Sequence, residues 1–157
     1  MITCRKTWID IPFAHRQHRH DGHCAWIHGH NWSITLTFGC HRADENGFVI
    51  DFGKLQFIKR WIDRHLDHAC VFNADDPLRE QIVAACPDVW KIHVVPSCSC
   101  EGLARHFYEV LGALVDKETG GRAFLVAVEV AEDSKNIATF TPDFLPRPHP
   151  PEPPALV

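Results

Sequence analysis

The sequence predicts a single α+β domain built on an antiparallel β-sheet. Segments in which apolar and polar residues alternate lie towards both ends of the chain, and segments with helical spacing lie between them. Strands grouped on either side of helices favour an antiparallel sheet, because a doubly wound parallel sheet requires strands and helices to alternate. The length of 157 residues suits one domain with its own hydrophobic core.

The first two strands are predicted in the N-terminal part of the chain. One run of alternating residues indicates a strand face that ends at a histidine: Ile9, Ile11, Phe13 and His15. The polar residues 17–27 predict a loop. From His28 to Phe38 the alternation is the clearest in the chain, and it places His28 and His30 on one face at the start of an apolar stripe.

Helices are predicted in the middle of the chain. Asp51 is a favourable N-cap, because its carboxylate can accept the unpaired amide hydrogens of a first helical turn. The apolar residues after it recur at helical spacing: Leu55, Ile58, Ile62 and Leu66. Residues 67–76 are predicted as a loop, and Asp76-Pro77 begins a shorter helix towards Cys86.

A brief strand, a long helix and a hairpin are predicted next. Residues 90–94 alternate as in a short strand, and Ser99 is a favourable cap for a helix that Gly120-Gly121 ends. A further strand is predicted with these residues on one face: Phe124, Val126, Val128, Val130 and Glu132. Residues 137–140 are expected to pair with it.

Composition excludes several classes of protein. The net charge is −4 and the Lys and Arg residues are scattered, so the sequence lacks the clustered positive charge that is typical of nucleic-acid binding. No apolar stretch approaches the ~18 residues that span a membrane. The seven cysteines, an odd number without a signal peptide before them, predict free thiols in a cytoplasmic protein.

The Pro-rich segment 142–157 is predicted to be an extended or disordered tail after a domain at residues 1–141.

Histidine density is the first sign of a metal site. The chain has twelve histidines, and six of them lie between His15 and His30. His28 and His30 offer two imidazoles from one strand face, and His15 ends a neighbouring strand on its apolar face. Three histidines without a thiolate match a catalytic zinc site with an open fourth position. A structural histidine pair, a surface loop rich in histidine and another divalent metal are the alternatives.

Four further residues are candidates for chemistry. Cys24 lies four residues before His28, and a thiol beside a dication ionises more readily and becomes a base or a nucleophile; a buried, inert cysteine is the alternative. Asp67 and His68 suit general acid–base chemistry or merely a helix-end ion pair. Glu132 ends an apolar strand face, where a carboxylate requires a partner such as an arginine or the N–H groups of a ligand.

These segments together resemble the family of 6-pyruvoyl-tetrahydropterin synthases and the related 6-carboxy-tetrahydropterin synthases of the queuosine pathway. Five segments carry the resemblance: Phe13-Ala14-His15-Arg16, Cys24-Ala25-Trp26-Ile27-His28-Gly29-His30, Phe48-Val49-Ile50-Asp51-Phe52-Gly53-Lys54-Leu55, Leu66-Asp67-His68 and Val128-Glu129-Val130-Ala131-Glu132. The resemblance implies the tunnelling fold (T-fold): an antiparallel four-stranded sheet with two helices on one face, closed into a barrel by oligomerisation.

The resemblance also implies roles for the candidate residues. It implies zinc ligands at His15, His28 and His30, catalytic residues at Cys24, Asp67 and His68, and a pterin anchor at Glu132. A homo-hexamer of two trimers is implied, with active sites between subunits, so that Cys24 of one subunit meets the Asp67–His68 pair of another. The partner would be a small pterin substrate, with neither nucleic acid nor membrane.

The spacing at Cys24 bears on the reaction. Three residues separate Cys24 from His28, as in the carboxy-forming branch, whereas animal-type pyruvoyl-forming members have a longer spacer and a third branch has glutamate in the role of the cysteine. The resemblance therefore implies a 6-carboxy-tetrahydropterin synthase that acts on 7,8-dihydroneopterin triphosphate and releases acetaldehyde and triphosphate. The pyruvoyl-forming reaction and a non-catalytic pterin- or zinc-binding module are the alternatives.

Two segments depart from the pattern of the family. The family usually has Pro-Thr-x-Glu before the second helix, and this chain has Cys98-Ser99-Cys100-Glu101, with cysteine in place of the proline. A second metal site at Cys98 and Cys100 is a weaker alternative, because their spacing is shorter than that of the common two-residue knuckle. The loop before Cys24 carries additional histidines: His18, His20 and His23. This loop bears on substrate specificity, so a pathway outside queuosine, such as deazapurine metabolite synthesis, stays open.

Overall fold

A long antiparallel hairpin of β1 (Ile2–His15) and β2 (His28–Cys40) forms the centre of the sheet in the computed structural model, which describes residues 1–145. The other strands are β3 (Ala69–Asn73), β4 (Ile92–Val95), β5 (Ala123–Ala131) and β6 (Ile137–Phe140). The α-helices are α1 (Gln56–His65), α2 (Arg79–Ala85) and α3 (Cys100–Thr119). Short 3₁₀ helices cover His23–Ala25, Phe52–Lys54 and Pro87–Val89.

The strands of residues 1–145 lie in the order β4-β3-β1-β2-β5-β6. β1, β2, β5 and β6 pair antiparallel and form the four-stranded unit that the resemblance implies. β3 and β4 extend this unit, because β3 pairs parallel to β1 and β4 pairs parallel to β3. The α+β class is confirmed, and the complete sheet is mixed rather than wholly antiparallel.

The predicted loop over residues 67–76 is wrong for its central part, which forms β3. All five residues of this strand are buried. A short strand that is buried along its whole length lacks the alternation by which a half-exposed strand is recognised, so its sequence pattern does not reveal it.

A β-bulge at Ile9 and Asp10 changes which side chains of β1 face the core. The pairing advances three residues along β1, from Trp8 to Ile11, while it advances two along β2. Asp10 takes a φ of 57° at this point. The prediction that Ile9 shares the inner face is therefore wrong: its side chain is 66% exposed, whereas the residues that alternate from Ile11 to His15 point inward.

β5 has a second irregularity, where it pairs with Thr37 and Phe38 of β2. The predicted common face holds from Val128 onward. Before it, the inward positions belong to the buried residues Ala123 and Leu125 instead. Phe124 and Val126 pack on the other face over Gly39, where a Cβ atom would lie 2.6 Å from Val126 Cγ2. Glycine at this position leaves room for the two side chains.

The helices begin where the sequence predicts. Asp51 Oδ1 accepts a hydrogen bond from Gly53 N (2.8 Å) and caps the 3₁₀ helix that leads into α1. Ser99 Oγ accepts one from Gly102 N (3.0 Å) and caps α3, which ends at Gly120 in the left-handed conformation (φ 60°). α3 packs on β5 and β6 and also contacts α1, which covers the core on one side of the sheet.

No helix within residues 1–145 has both the length and the apolar character needed to cross a bilayer. The predicted Pro-rich tail falls outside the described residues from residue 146 onward.

Candidate metal centre and catalytic cavity

The pairing of β1 with β2 brings three imidazoles together at one end of the hairpin. His15 lies directly opposite His28, and Phe13 lies opposite His30. Because side chains two residues apart share a face, the three histidines project to the same side. Their ring centroids are 4.6 Å apart for His15–His28, 5.0 Å for His28–His30 and 5.5 Å for His15–His30. The three histidines singled out in the sequence therefore converge.

Backbone carbonyls orient two of these three rings. They determine which nitrogen of each ring faces the other histidines. His15 Nδ1–H donates to the carbonyl of Cys98, and His28 Nδ1–H donates to the carbonyl of Trp26, both at 2.8 Å. A carbonyl only accepts, so Nδ1 carries the proton and Nε2 of each neutral ring keeps a free lone pair. This arrangement is typical of metal-binding histidines.

Trp32 packs against two of the three imidazoles. It is fully buried, its Nε1–H donates to the carbonyl of Phe13 (3.1 Å), and its ring stacks on that of Phe13 at 4.5 Å. The same indole lies edge-on to His15 at 4.9 Å and to His30 at 5.3 Å. Packing of this kind limits the rotation of the two imidazoles.

Glu132 joins the histidine group. Its Oε1 atom lies 3.2 Å from Nε2 of His15 and 3.2 Å from Nε2 of His30. The potential ligand atoms of His15, His28, His30 and Glu132 all lie within 4.8 Å of one another, and among residues 1–145 this is the only such group of three or more. The sequence-based interpretation assigned Glu132 to the substrate. Glu132 lies at the end of an apolar strand, where a carboxylate needs a partner, and this position was the sequence signal for its contact with the histidines.

The chemistry of the donor set fits a cation. His15 Nε2 and His30 Nε2 are buried without a hydrogen-bond partner among the described residues. Burial lowers the pKa of His15; the hydrogen bond to the Cys98 carbonyl and the Glu132 carboxylate oppose this, the neighbouring imidazoles reinforce it, and the net shift favours the neutral ring. An unprotonated nitrogen and a carboxylate oxygen at 3.2 Å repel each other unless a cation or a proton lies between them. The cluster can therefore hold a metal ion, and imidazole with one carboxylate suits Zn²⁺.

A cavity of about 410 Å³ opens beside this group. Its wall includes His15 and Glu132, together with the half-buried Cys24 from the 3₁₀ helix at His23–Ala25. The carbonyl of Cys24 accepts a hydrogen bond from Gln17 N (2.8 Å), which closes the loop over the cavity. The volume lies within the range of small-molecule sites. The thiol and the metal-binding group therefore border one space.

Asp67 and His68 form the predicted pair but lie elsewhere. His68 Nδ1 and Asp67 Oδ1 are 2.8 Å apart, so the adjacent side chains do touch. The His68 side chain is 80% exposed and borders a shallow groove beside His30, and neither residue borders the cavity that contains Cys24. His68 takes a φ of 58°, and its N–H donates to the carbonyl of Pro12 (2.7 Å). Within one chain, the structure separates this pair from the thiol.

The additional histidines of the loop have different surroundings. His18 Nδ1 lies 3.1 Å from Asn73 Nδ2, which donates to it. His20 borders the cavity, and its Nδ1 accepts a hydrogen bond from Gly22 N (2.8 Å). His23 lies beside it, with ring centroids 6.3 Å apart.

Cys98 and Cys100, at the start of α3, do not form a second metal site within the described residues. Cys98 Sγ–H donates to the carbonyl of Arg16 (3.1 Å), and Cys100 Sγ–H donates to that of Val130 (3.0 Å). Burial raises the pKa of Cys98, and it raises the pKa of Cys100 to about 11. Both groups are therefore neutral thiols with separate acceptors.

Comparison with known proteins identifies one family. The sequence model of the family described as 6-pyruvoyl tetrahydropterin synthase matches residues 4–143. A relative from Rickettsia conorii named 6-carboxy-5,6,7,8-tetrahydropterin synthase is 29% identical over 107 residues, which cover 68% of this chain and 77% of the relative. A relative of the same name from Rickettsia typhi is 36% identical over 77 residues, which cover 48% of this chain and 55% of the relative.

Solved structures agree on the fold. An uncharacterized protein from Wolinella succinogenes superimposes with a TM-score of 0.75 at 20% identity, covering 89% of this chain and 97% of that one. A 6-pyruvoyltetrahydropterin synthase from Plasmodium vivax superimposes with a TM-score of 0.62 at 19% identity, covering 89% and 98%. At these identities the likeness concerns the fold alone, and that fold is the predicted T-fold.

Proposed function

The chain belongs to the 6-pyruvoyl tetrahydropterin synthase family, and on this premise we propose that it is a zinc-dependent 6-carboxy-5,6,7,8-tetrahydropterin synthase. The proposed reaction converts 7,8-dihydroneopterin triphosphate and one water molecule to 6-carboxy-tetrahydropterin, acetaldehyde and triphosphate, the water supplying the second carboxylate oxygen, and it is a carbon–carbon lyase reaction of queuosine or deazapurine biosynthesis. One observation carries the proposal: His15 and Glu132 of the histidine–carboxylate group border the same cavity as the Cys24 thiol. In this group Nε2 of His15 and of His30 has no hydrogen-bond partner among the described residues. The names of the curated relatives support the carboxy-forming branch.

Zinc would be held by His15, His28 and His30. Two of these rings already present Nε2 to the group, because carbonyls hold their Nδ1 protons. When bound, zinc supplies Lewis-acid polarisation of the substrate's side-chain hydroxyls. The side chains of the cavity would position the substrate against this centre.

Cys24 would act as the base. Its sulfur would take a proton from the carbon chain of the substrate in the cavity, in the manner of a positioned general base. The hydrogen bond from Gln17 N to the Cys24 carbonyl supports a fixed position for the thiol. The thiol shares the cavity with His15 and Glu132, so it lies on the side from which the substrate would enter.

Asp67 and His68 would complete the site from a neighbouring subunit. Asp67 Oδ1 can accept a hydrogen bond from Nδ1–H of His68, which leaves Nε2 to bind or release a proton. The pair is exposed and outside the Cys24 cavity of its own chain, and such a position favours a site closed by another copy. The proposal includes active sites between subunits, and the resemblance to the family adds the homo-hexamer of two trimers.

Glu132 would anchor the pterin ring. Its carboxylate would accept hydrogen bonds from ring N–H groups, and charge-assisted bonds of this kind contribute ~1.5–3 kcal/mol each. The side chain borders the cavity as well as the histidine group, so both partners are within its reach. The proposed enzyme is cytoplasmic, which the unpaired state of all seven cysteines favours.

Product analysis tests the proposal. The zinc-loaded protein is incubated with 7,8-dihydroneopterin triphosphate, and every product is identified by mass. Release of acetaldehyde with 6-carboxy-tetrahydropterin is expected. A product that keeps all side-chain carbons would assign the pyruvoyl-forming reaction instead, and tight pterin binding without turnover would assign a binding module. Metal-free protein is the control for background chemistry.

A further inference from the structure

Asn73 is a buried polar residue that the proposed reaction does not use. It is the last residue of β3, is 5% exposed and does not border the cavity. Its Oδ1 accepts a hydrogen bond from Cys98 N (2.7 Å), and its Nδ2 donates to His18 Nδ1 (3.1 Å). Both the oxygen and the nitrogen of the amide are therefore hydrogen-bonded, and the side chain connects β3 to the segment before α3.

Cys98, the residue that Asn73 holds, is fully buried and hydrogen-bonded on three sides. Its N–H donates to Asn73, its S–H donates to the carbonyl of Arg16, and its carbonyl accepts the Nδ1 proton of His15. The Arg16 side chain is itself held by an ion pair to the buried carboxylate of Asp76 (2.9 Å). The carbonyl that orients His15 thus has little freedom to move.

We propose that Asn73 is a positioning residue for the metal centre: through Cys98 it holds the His15 imidazole with Nε2 directed at His28, His30 and Glu132. Groups that orient a ligating histidine raise metal affinity, and their loss typically costs 10–100-fold. The inference rests on the proposed metal binding at this cluster and is independent of which pterin reaction follows.

Zinc affinity tests the inference. Dissociation constants are measured by competition with a chromophoric chelator for the wild type, Asn73→Leu and Asn73→Asp. Asn73→Leu removes both hydrogen bonds and, because Asn73 acts on His15 only through Cys98, is expected to weaken zinc binding by roughly 10-fold, the lower end of the range for groups that bond a ligand directly. Asn73→Asp keeps an oxygen acceptor for Cys98 N and is expected to bind zinc more tightly than Asn73→Leu, but less tightly than the wild type because the amide donor to His18 is lost. Visible absorption of the Co²⁺ forms should change in Asn73→Leu and be restored in Asn73→Asp.

A matched control separates positioning from general destabilisation. Thr35 is buried in β2 and its Oγ1 lies 2.8 Å from Thr7 Oγ1, away from the histidine end of the strand. Thr35→Val also removes a buried hydrogen bond, but it should leave zinc affinity unchanged. Asn73→Ala replaces Asn73→Leu if the larger side chain prevents folding, with the same expected loss.

A second readout does not depend on metal. Nitrogen-15 NMR of the metal-free protein reports which ring nitrogen of His15 is protonated, and we expect Nδ1–H in the wild type and a mixture in Asn73→Leu. If the wild type binds no zinc, the proposed function and the role of Asn73 at a metal centre both fail, and the His15 signal then decides only whether Asn73 orients this imidazole. Unchanged zinc affinity, or an unchanged His15 signal in that case, would overturn it.

Discussion

Glu132 Oε1 lies 3.2 Å from His15 Nε2, while the opposite nitrogen of the same ring donates to the carbonyl of Cys98. Since the single N–H of the neutral ring is at Nδ1 and donates to the carbonyl, Nε2 and the carboxylate oxygen are two acceptors that face each other across this short distance. A divalent cation resolves the conflict, because each lone pair then points at a positive charge. The same contact makes Glu132 a candidate for two roles, metal ligand and substrate anchor, which mutation can separate.

Zinc is expected to stabilise the fold. A ligand that binds only the folded state at 100 times its dissociation constant adds about 2.7 kcal/mol, which raises the melting temperature of a domain of this size by roughly 5–11 °C. Thermal unfolding with and without added zinc checks this. His28→Ala should abolish the shift, and His20→Ala, which removes an imidazole of the cavity wall outside the cluster, should keep it. Equal melting temperatures with and without zinc would contradict metal binding.

Glu132→Gln is expected to impair catalysis more than metal binding. Three imidazoles suffice to hold zinc, whereas loss of the charged acceptor removes ~1.5–3 kcal/mol of substrate interaction, or roughly 10- to 150-fold in kcat/KM. Steady-state kinetics and a zinc titration on the same sample separate the two roles. A fall in zinc affinity that matches the fall in kcat/KM would make Glu132 a metal ligand instead.

Cys24→Ala is expected to remove turnover while zinc stays bound. Loss of a positioned general base typically lowers the rate by ~10²–10⁴-fold, and the sulfur is outside the metal-binding group. Single-turnover kinetics and metal analysis provide the two measurements. Cys86→Ala removes an exposed thiol and is the matched control, with unchanged kinetics expected. Wild-type turnover by Cys24→Ala would remove the thiol from the mechanism.

Mixed oligomers test the origin of the Asp67–His68 pair. Cys24→Ala and His68→Ala are each expected to be inactive alone. If active sites lie between subunits, subunit exchange creates interfaces at which both residues are intact, and part of the activity returns. The measurement is activity before and after dissociation and reassembly of a mixture. Absence of any recovery, with exchange demonstrated by native mass spectrometry, would argue for a site within one chain.

A second group of histidines predicts acid sensitivity. His93 lies beside His65 and His106, with ring centroids 5.4 and 5.7 Å away, and Nε2 of His93 and of His106 is buried without a hydrogen-bond partner among the described residues. Burial lowers the pKa of His93 to about 4, and the two imidazoles add to the effect. Burial also lowers the pKa of His106 and of His65; Arg64 and Lys91 reinforce it at His65, while Glu109 opposes it at His106.

The sign of the pH dependence follows from linkage. Between the unfolded-state pKa of ~6.5 and the folded-state value, the unfolded chain binds more protons, so the free energy of unfolding decreases as the pH falls from about 6.5 to about 4. Chemical denaturation at several pH values measures this slope. His93→Gln should flatten it and His23→Gln, at an exposed loop position, should not. An identical slope in His93→Gln and the wild type is the result that contradicts the prediction.

Several features could be predicted because they depend on local periodicity. His28 and His30 share a face in any β-strand, since successive side chains alternate. Asp51 and Ser99 cap their helices through hydrogen bonds that reach only two or three residues along the chain. The strand β3 was missed for the same reason, because burial on both faces removes the alternation that such predictions use.

The sequence by itself determined the α+β class, the helix caps, the common strand face of His28 and His30, and a set of candidate residues that matches one family. Only the tertiary structure decided that a bulge at Asp10 turns Ile9 outward, that Glu132 meets the histidines and that Cys98 orients His15 from 83 residues away. Strand register and loop placement join residues distant in sequence, and their free energies depend on packing across the whole core rather than on neighbouring residues.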